Sequence, residues 1–261
     1  MDAIMSALLS LPVVLSATVF IAVIIALSLA TLAVTRKLVG HYATKETHDL
    51  AGSVLFRIAA LHGLVLALVF AQELDSIKDV HNTSAREAAM VGDIYHDLKR
   101  YGGDDADSIR TELVSYAKVV VEKEWPALAG PRSLSIQAWK SWETTYEAIL
   151  ELTPETKRQE RLLNFMLSDI RELSELREAR ENAALSETST LFLVAAISGI
   201  VLISAAYFTW QITPVNLGLI TAFAAYTGLI LYFVIAFSNP YLAPGNAKPF
   251  GMERFLASAE N

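Results

Sequence analysis

The sequence predicts an all-α membrane protein: four transmembrane helices, with helices two and three extended into a water-facing helical bundle. Three observations carry this. Residues 3–35 and 188–247 contain no Asp, Glu, Lys or Arg. Between these blocks, residues 73–187 hold 15 Lys and Arg against 23 Asp and Glu, a balance of −8, slightly beyond the −7 of the whole chain. Within that charged segment the apolar residues recur at helical spacing. Uncharged blocks alternating with a charged one are the composition of a membrane protein with one solvated domain. The predicted organisation is helices one and two in 1–72, an acidic helical domain in 73–187, helices three and four in 188–240, and a tail of extended chain in 241–261.

A spanning helix needs roughly 20 apolar residues. The first is expected over residues 9–34. No Lys or Arg precedes it, and its apolar run exceeds the core of a secretory signal, so it reads as a retained anchor. It ends on Thr35-Arg36-Lys37, a basic membrane edge. The second covers about 50–71 and contains Arg57 and His62. The uncharged block divides at Gln211-Ile-Thr-Pro-Val-Asn216, its one polar, proline-bearing break within the apolar part. That gives spans over 191–210 and 217–237, joined by a turn too short for anything but antiparallel neighbours. Phe208, Trp210, Tyr232 and Tyr241 fall near the span ends, as interfacial aromatics do.

The solvated segment reads as helix almost throughout. Helix two continues past Glu73 to a break at Gly102-Gly103. Asp104-Asp105 can cap a helix that Trp125-Pro126 and Gly130-Pro131 end. Ser135 can cap a helix holding Trp139, Trp142 and Ile149. Thr153-Pro154-Glu155 is a strong start signal. No Gly or Pro follows until Gly199, so one helix of roughly 84 Å over 155–210 is expected at about 1.5 Å per residue. Leu162, Met166, Ile170, Leu173 and Leu176 form an apolar face on it, which must pack on helix two, on another subunit, or on both.

Several stretches resemble the bestrophin-like domain family of bacterial membrane proteins. They are Arg86-Glu-Ala-Ala-Met, Asp93-Ile-Tyr, residues 116–121, and Glu122-Lys-Glu-Trp-Pro-Ala-Leu128. Pro240-Tyr241 resembles the family's proline-aromatic ending, with Ser238 or Asn239 where an acid is usual and Tyr241 where Phe is usual. The resemblance marks Glu87, Glu124, Trp125, Pro126, Pro240 and Tyr241 as motif residues. It implies kinship of fold with pentameric anion channels.

Candidate sites are few. His62 lies in mid-span, and Glu73, eleven residues on, falls within roughly 20° of the same helix face. Together with Arg57 these are the pore or proton-relay candidates. Against that, His62 can be a neutral histidine bonded to a neighbouring helix, and Arg57 can snorkel. Spans one, three and four offer Arg57 no acid, so it otherwise faces water, lipid phosphate or a passing anion. Asp93, His96 and Asp97 share one helical turn at metal-ligand spacing, though acidic faces are usually just solvated. No cysteine is present, which excludes disulfides and thiolate or iron–sulfur chemistry. No phosphate loop, zinc histidine pair or nucleophile elbow occurs, so no enzyme and no cofactor is expected. The acidic balance excludes a nucleic-acid face.

The functional expectation is therefore an oligomeric ion channel or pore of bestrophin type, with a non-conducting scaffold or sensor as the alternative. The expected partners are the lipid bilayer, further copies of the chain and a small inorganic ion, in the bacterial inner (plasma) membrane. A short connection carrying Arg36, Lys37 and Lys45 stays in the cytoplasm, which puts the large domain outside it. Bestrophin kinship implies the opposite orientation. The short loop is the part of the rule with predictive force, and it favours the exported domain.

Overall fold

The computed structural model describes residues 8, 11–130, 132–186 and 188–260. Residues 1–7, 9, 10, 131, 187 and 261 lie outside them, and with them the start of the first expected span, Pro131 and the expected domain edge at Glu187. Every regular element among the described residues is helical. They are α1 (Val13–Val39), α2 (Lys45–Tyr101), α3 (Asp104–Val119), α4 (Trp125–Ala129), α5 (Ile136–Leu150), α6 (Lys157–Leu185), α7 (Thr190–Ala206), α8 (Pro214–Phe237) and α9 (Phe250–Ala259). Four segments are long and apolar enough to cross a membrane: Val13–Tyr42, Lys45–Tyr101, Lys157–Thr209, which takes in both α6 and α7, and Pro214–Phe237.

The chain divides into two compact units, Met1–Asp75 with Glu187–Ser238, and Ser76–Ser186 with Asn239–Asn261. In the first, α1 packs along α7 and α8. Gly228 on α8 permits this, since a Cβ there would meet the Ile21 backbone at 3.1 Å. Small residues let membrane helices approach in this way. The buried Ser28 and Ser204 hydroxyls pair at 2.8 Å. At the basic edge the Arg36 guanidinium donates to Trp210 O at 2.7 Å, satisfying a carbonyl just past the end of α7. Ile24, Leu66, Phe192, Ala196, Ile200, Ala224, Leu231 and Val234 form the core.

The second unit is built around α2, α3, α5 and α6. Helix α2 runs past Glu73 as expected and stops at Gly102 and Gly103, whose φ angles of 77° and 93° favour glycine. Gly103, not Asp104, is the N-cap; Asp104, Asp105 and Asp107 instead occupy the first turn of α3, where their charge is favourable at the positive end of the helix dipole. Ser135 caps α5 as expected. The face Leu162 to Leu176 is absorbed by this same bundle: Met166, Ile170 and Leu173 are fully buried. Of the two partners open to it in the sequence, helix two takes part in this core, through Val80, Val91, Ile94 and Leu98.

Four local expectations are corrected. The expected continuous helix over 155–210 is described as two helices, one ending at Leu185 and the next beginning at Thr190, with Glu187 between them outside the described residues. Its start is Thr156, which forms a capping box with Gln159, rather than Thr153. Trp125-Pro126 does not end α3. Pro126 lacks an N–H for the carbonyl four residues back, and the chain continues as a π-turn over Val120–Glu124, with the Trp125 N–H on Val120 O, into α4. The tail is not extended: Tyr241, Ala247, Met252 and Phe255 are buried in the bundle core, and 250–259 are helical.

Candidate functional site

Two arrangements, one in each unit, carry chemistry. In the water-facing unit, buried positions recur along α2 at Val80, Ser84, Glu87, Val91, Ile94 and Leu98. Glu87 thus occupies a core position of an otherwise apolar seam. On α6 the apolar face continues through Arg177, Arg180 and Ala184, all buried. The π-turn presents Glu124 to the same place, fully buried. Four charges, two of each sign, therefore meet inside the domain.

Their geometry is specific. Arg180 bridges both carboxylates: Nη1 donates to Glu87 Oε2 at 2.8 Å, and Nη2 donates to Glu124 Oε1. Arg177 donates to Glu124 from Nη2 at 2.8 Å and from Nε at 3.4 Å. Glu124 Oε2 also accepts the Ser135 N–H at 2.9 Å. Tyr116 OH donates to Glu87 Oε1 at 3.3 Å. Arg177 lies over Trp139, 5.1 Å from its ring centre, and Arg180 over Trp125 at the same distance. Burial raises the Glu87 carboxyl above the ordinary range despite the opposing Arg180. Burial also penalises the Arg180 charge, but Glu87 and Glu124 outweigh it, so Arg180 is held more firmly protonated. The Tyr116 and Tyr241 hydroxyls are both pushed up, chiefly by burial.

The tail closes on this cluster. Tyr241 OH donates to Arg180 O at 3.2 Å and its ring packs edge-on to Trp125. Trp125 Nε1 donates to Ala247 O at 2.8 Å, and Asn239 Nδ2 to Leu128 O at 3.4 Å. Gly251 sits against Ala88, next to Glu87, at a spacing that a larger residue would violate. The motif residues Glu87, Glu124, Trp125 and Tyr241 are thus brought together. Asn239 Oδ1 accepts the Tyr241 N–H at 3.0 Å.

The membrane unit separates the candidates on α2. His62 is buried, its ring against Gly199 of α7 and 6.5 Å from Phe223 of α8. Arg57 is exposed, and Glu73 is half-buried with no hydrogen bond to His62 among the described residues. The α2 face opposite His62 is open along Ser53, Arg57, Ala60, Leu64, Ala67 and Ala71. These positions fall within about 40° of one line, and His62 lies about 180° from it. Among the described residues no three His, Asp or Glu side chains could jointly hold a metal ion. Asp97 accepts from Arg100 at 2.6 Å, His96 packs against Tyr95, and Asp93 is exposed.

The sequence matches the bestrophin-like domain family over residues 22–243. The chain belongs to that family. No curated protein matches the chain. Among solved structures, this bestrophin-like chain is similar to a bacterial bestrophin homologue from Klebsiella pneumoniae carrying one substitution. The similarity covers 92% of this chain and 99% of that one, at 11% identity and a TM-score of 0.59, and it concerns the fold.

The residues missed in the sequence are Arg177 and Arg180. An Arg- and Glu-rich helix reads as a solvated face. The available signal was register: both arginines continue the apolar stripe of Leu162, Met166, Ile170 and Leu173.

Proposed function

We propose that this bestrophin-like chain is the subunit of a homo-oligomeric ion channel whose wall is the open face of α2. The carrying observation is that stripe: one arginine, one serine, three alanines and one leucine, all exposed on a helix that crosses the membrane. Only 11% of the apolar stretch of α2 is buried within the chain, the smallest share of the four segments, against 50% for α8. Lipid is a poor partner for Arg57, roughly 10 Å inside the apolar stretch by helical rise. A water-filled axis shared by several copies would give each Arg57 hydration and anions, while the small residues leave room and Leu64 narrows the path. Rings of cations select anions, so the reading favours anion conduction.

Purified chain in liposomes would be tested for chloride, potassium and proton flux, and its mass in lipid nanodiscs measured. Chloride flux from a multimer is expected. A monomeric mass unchanged with concentration, together with no flux, would contradict the proposal. The scaffold or sensor reading draws on a different observation: His62 is buried against helix neighbours and does not face the stripe.

A further inference from the structure

His62 is 6% exposed in the middle of a membrane helix, and its Nε2 has no hydrogen-bond partner. It sits in a notch that a glycine makes. A Cβ added at Gly199 would lie 2.2 Å from His62 Nδ1 and 2.9 Å from two ring carbons. The close contact between α2 and α7 at this level thus exists because one side has no side chain and the other has a flat ring.

A proton on that ring would find nothing to offset it. Helices α7 and α8 contain no Asp, Glu, Lys or Arg. The charges of α1, Arg36 and Lys37, are confined to its last turn. On α2 itself, Glu73 is eleven residues away, roughly 16 Å by helical rise. Arg57 is five residues away and of the wrong sign, about 140° around the helix. The two serine hydroxyls of α7 are engaged: Ser198 donates to Ala195 O and Ser204 pairs with Ser28. Phe223 offers only a ring, 6.5 Å away. A buried charge without a partner is costly in an apolar setting and is relieved by moving it to water.

We propose that His62 is an acid-sensitive wedge: protonation drives the ring out of the Gly199 notch and parts α2 from α7. The sign follows from the packing. The closed contact accepts only the neutral ring and the open one accepts either form, so the closed contact is favoured at high pH and lost as pH falls. Because α2 bears the stripe proposed to line the pore, the wedge would regulate that pore and in this respect rests on the channel reading. Its test does not need conduction.

The chain has no cysteine, so Leu68→Cys on α2 and Val194→Cys on α7, both exposed, accept spin labels at two sites only. Labelled chain diluted into unlabelled chain, in lipid nanodiscs, would be measured by pulsed dipolar spectroscopy at pH 8 and pH 5. A second, longer distance population at pH 5 is expected, and it should be lost in both His62→Gln and His62→Phe. Gly199→Ala should produce the longer population already at pH 8. An unchanged distribution in the unsubstituted His62 background would overturn the proposal, as would the same acid shift in either His62 variant. Chloride flux that is absent at every pH, with the distance shift present, would overturn the channel reading alone.

Discussion

Replacing Glu124 by Gln keeps the shape of the side chain and removes one of four buried charges. Glu124 receives Arg177, Arg180 and the Ser135 N–H. In the variant, two guanidiniums share the single carboxylate of Glu87, and one amide N–H₂ is turned toward donors. Removing one partner of a buried, hydrogen-bonded ion pair costs about 3–5 kcal/mol, most of it the penalty of the charge left behind. For a unit of this size each kcal/mol moves Tm by roughly 3–5 °C, so a fall of about 10–20 °C is expected. Three of the four tryptophans, Trp125, Trp139 and Trp142, lie in this unit, so thermal unfolding followed by tryptophan fluorescence in nanodiscs reports on it. Glu122→Gln, on the same turn but exposed, is the control and should change little. Combining Glu124→Gln with Arg177→Met should cost less than the two singly, because the second change removes a charge that the first orphaned. A fall for Glu124→Gln no larger than for Glu122→Gln, or strict additivity in the double variant, would refute the reasoning.

Two further outcomes follow from the same geometry. Burial raises Glu87 in the folded bundle, so the native state holds an extra proton between the ordinary carboxylate range and the raised value, and its stability falls as pH rises through that window. The Tm of the wild type minus that of Glu87→Gln should therefore grow as pH falls from 7 toward 4.5, and a difference independent of pH would contradict it. For orientation, the short basic loop favours a large domain outside the cytoplasm. Lys140→Cys, exposed on α5, should then be labelled in intact cells by a reagent that cannot cross the inner membrane, whereas labelling only after lysis would place the domain inside. Gly103 is a poorer site for that cysteine because its φ of 93° strains any larger residue.

The membrane helices were legible because charge sorts so sharply along this chain: sixty consecutive residues without a charge leave few other readings. The water-facing bundle was legible at the level of helices and turns, through Gly102-Gly103 and Ser135. What was not legible depended on tertiary contacts. The tail reads as extended from Pro244, Gly245, Pro249 and Gly251, yet Tyr241, Met252 and Phe255 find a core that only the folded bundle provides. The break after Leu185 carries no Gly or Pro and so no strong signal. His62 and Arg57 looked like two candidates for one path because both are ionisable and on one helix. Counting 100° per residue puts Arg57 on the stripe and His62 behind it, but which face is open can be read only from the packing of α7 and α8.

The central claim is that the open face of α2 forms the wall of an ion path, and Arg57 tests it most directly. In liposomes with a potassium chloride gradient, the reversal potential should report preference for chloride. Arg57→Glu replaces a ring of positive charge by a ring of negative charge and should move the reversal potential toward that of potassium, while Arg57→Gln should fall between. A reversal potential identical in all three proteins would contradict the account, because no path could then run along the stripe of Ser53, Arg57, Ala60, Leu64, Ala67 and Ala71.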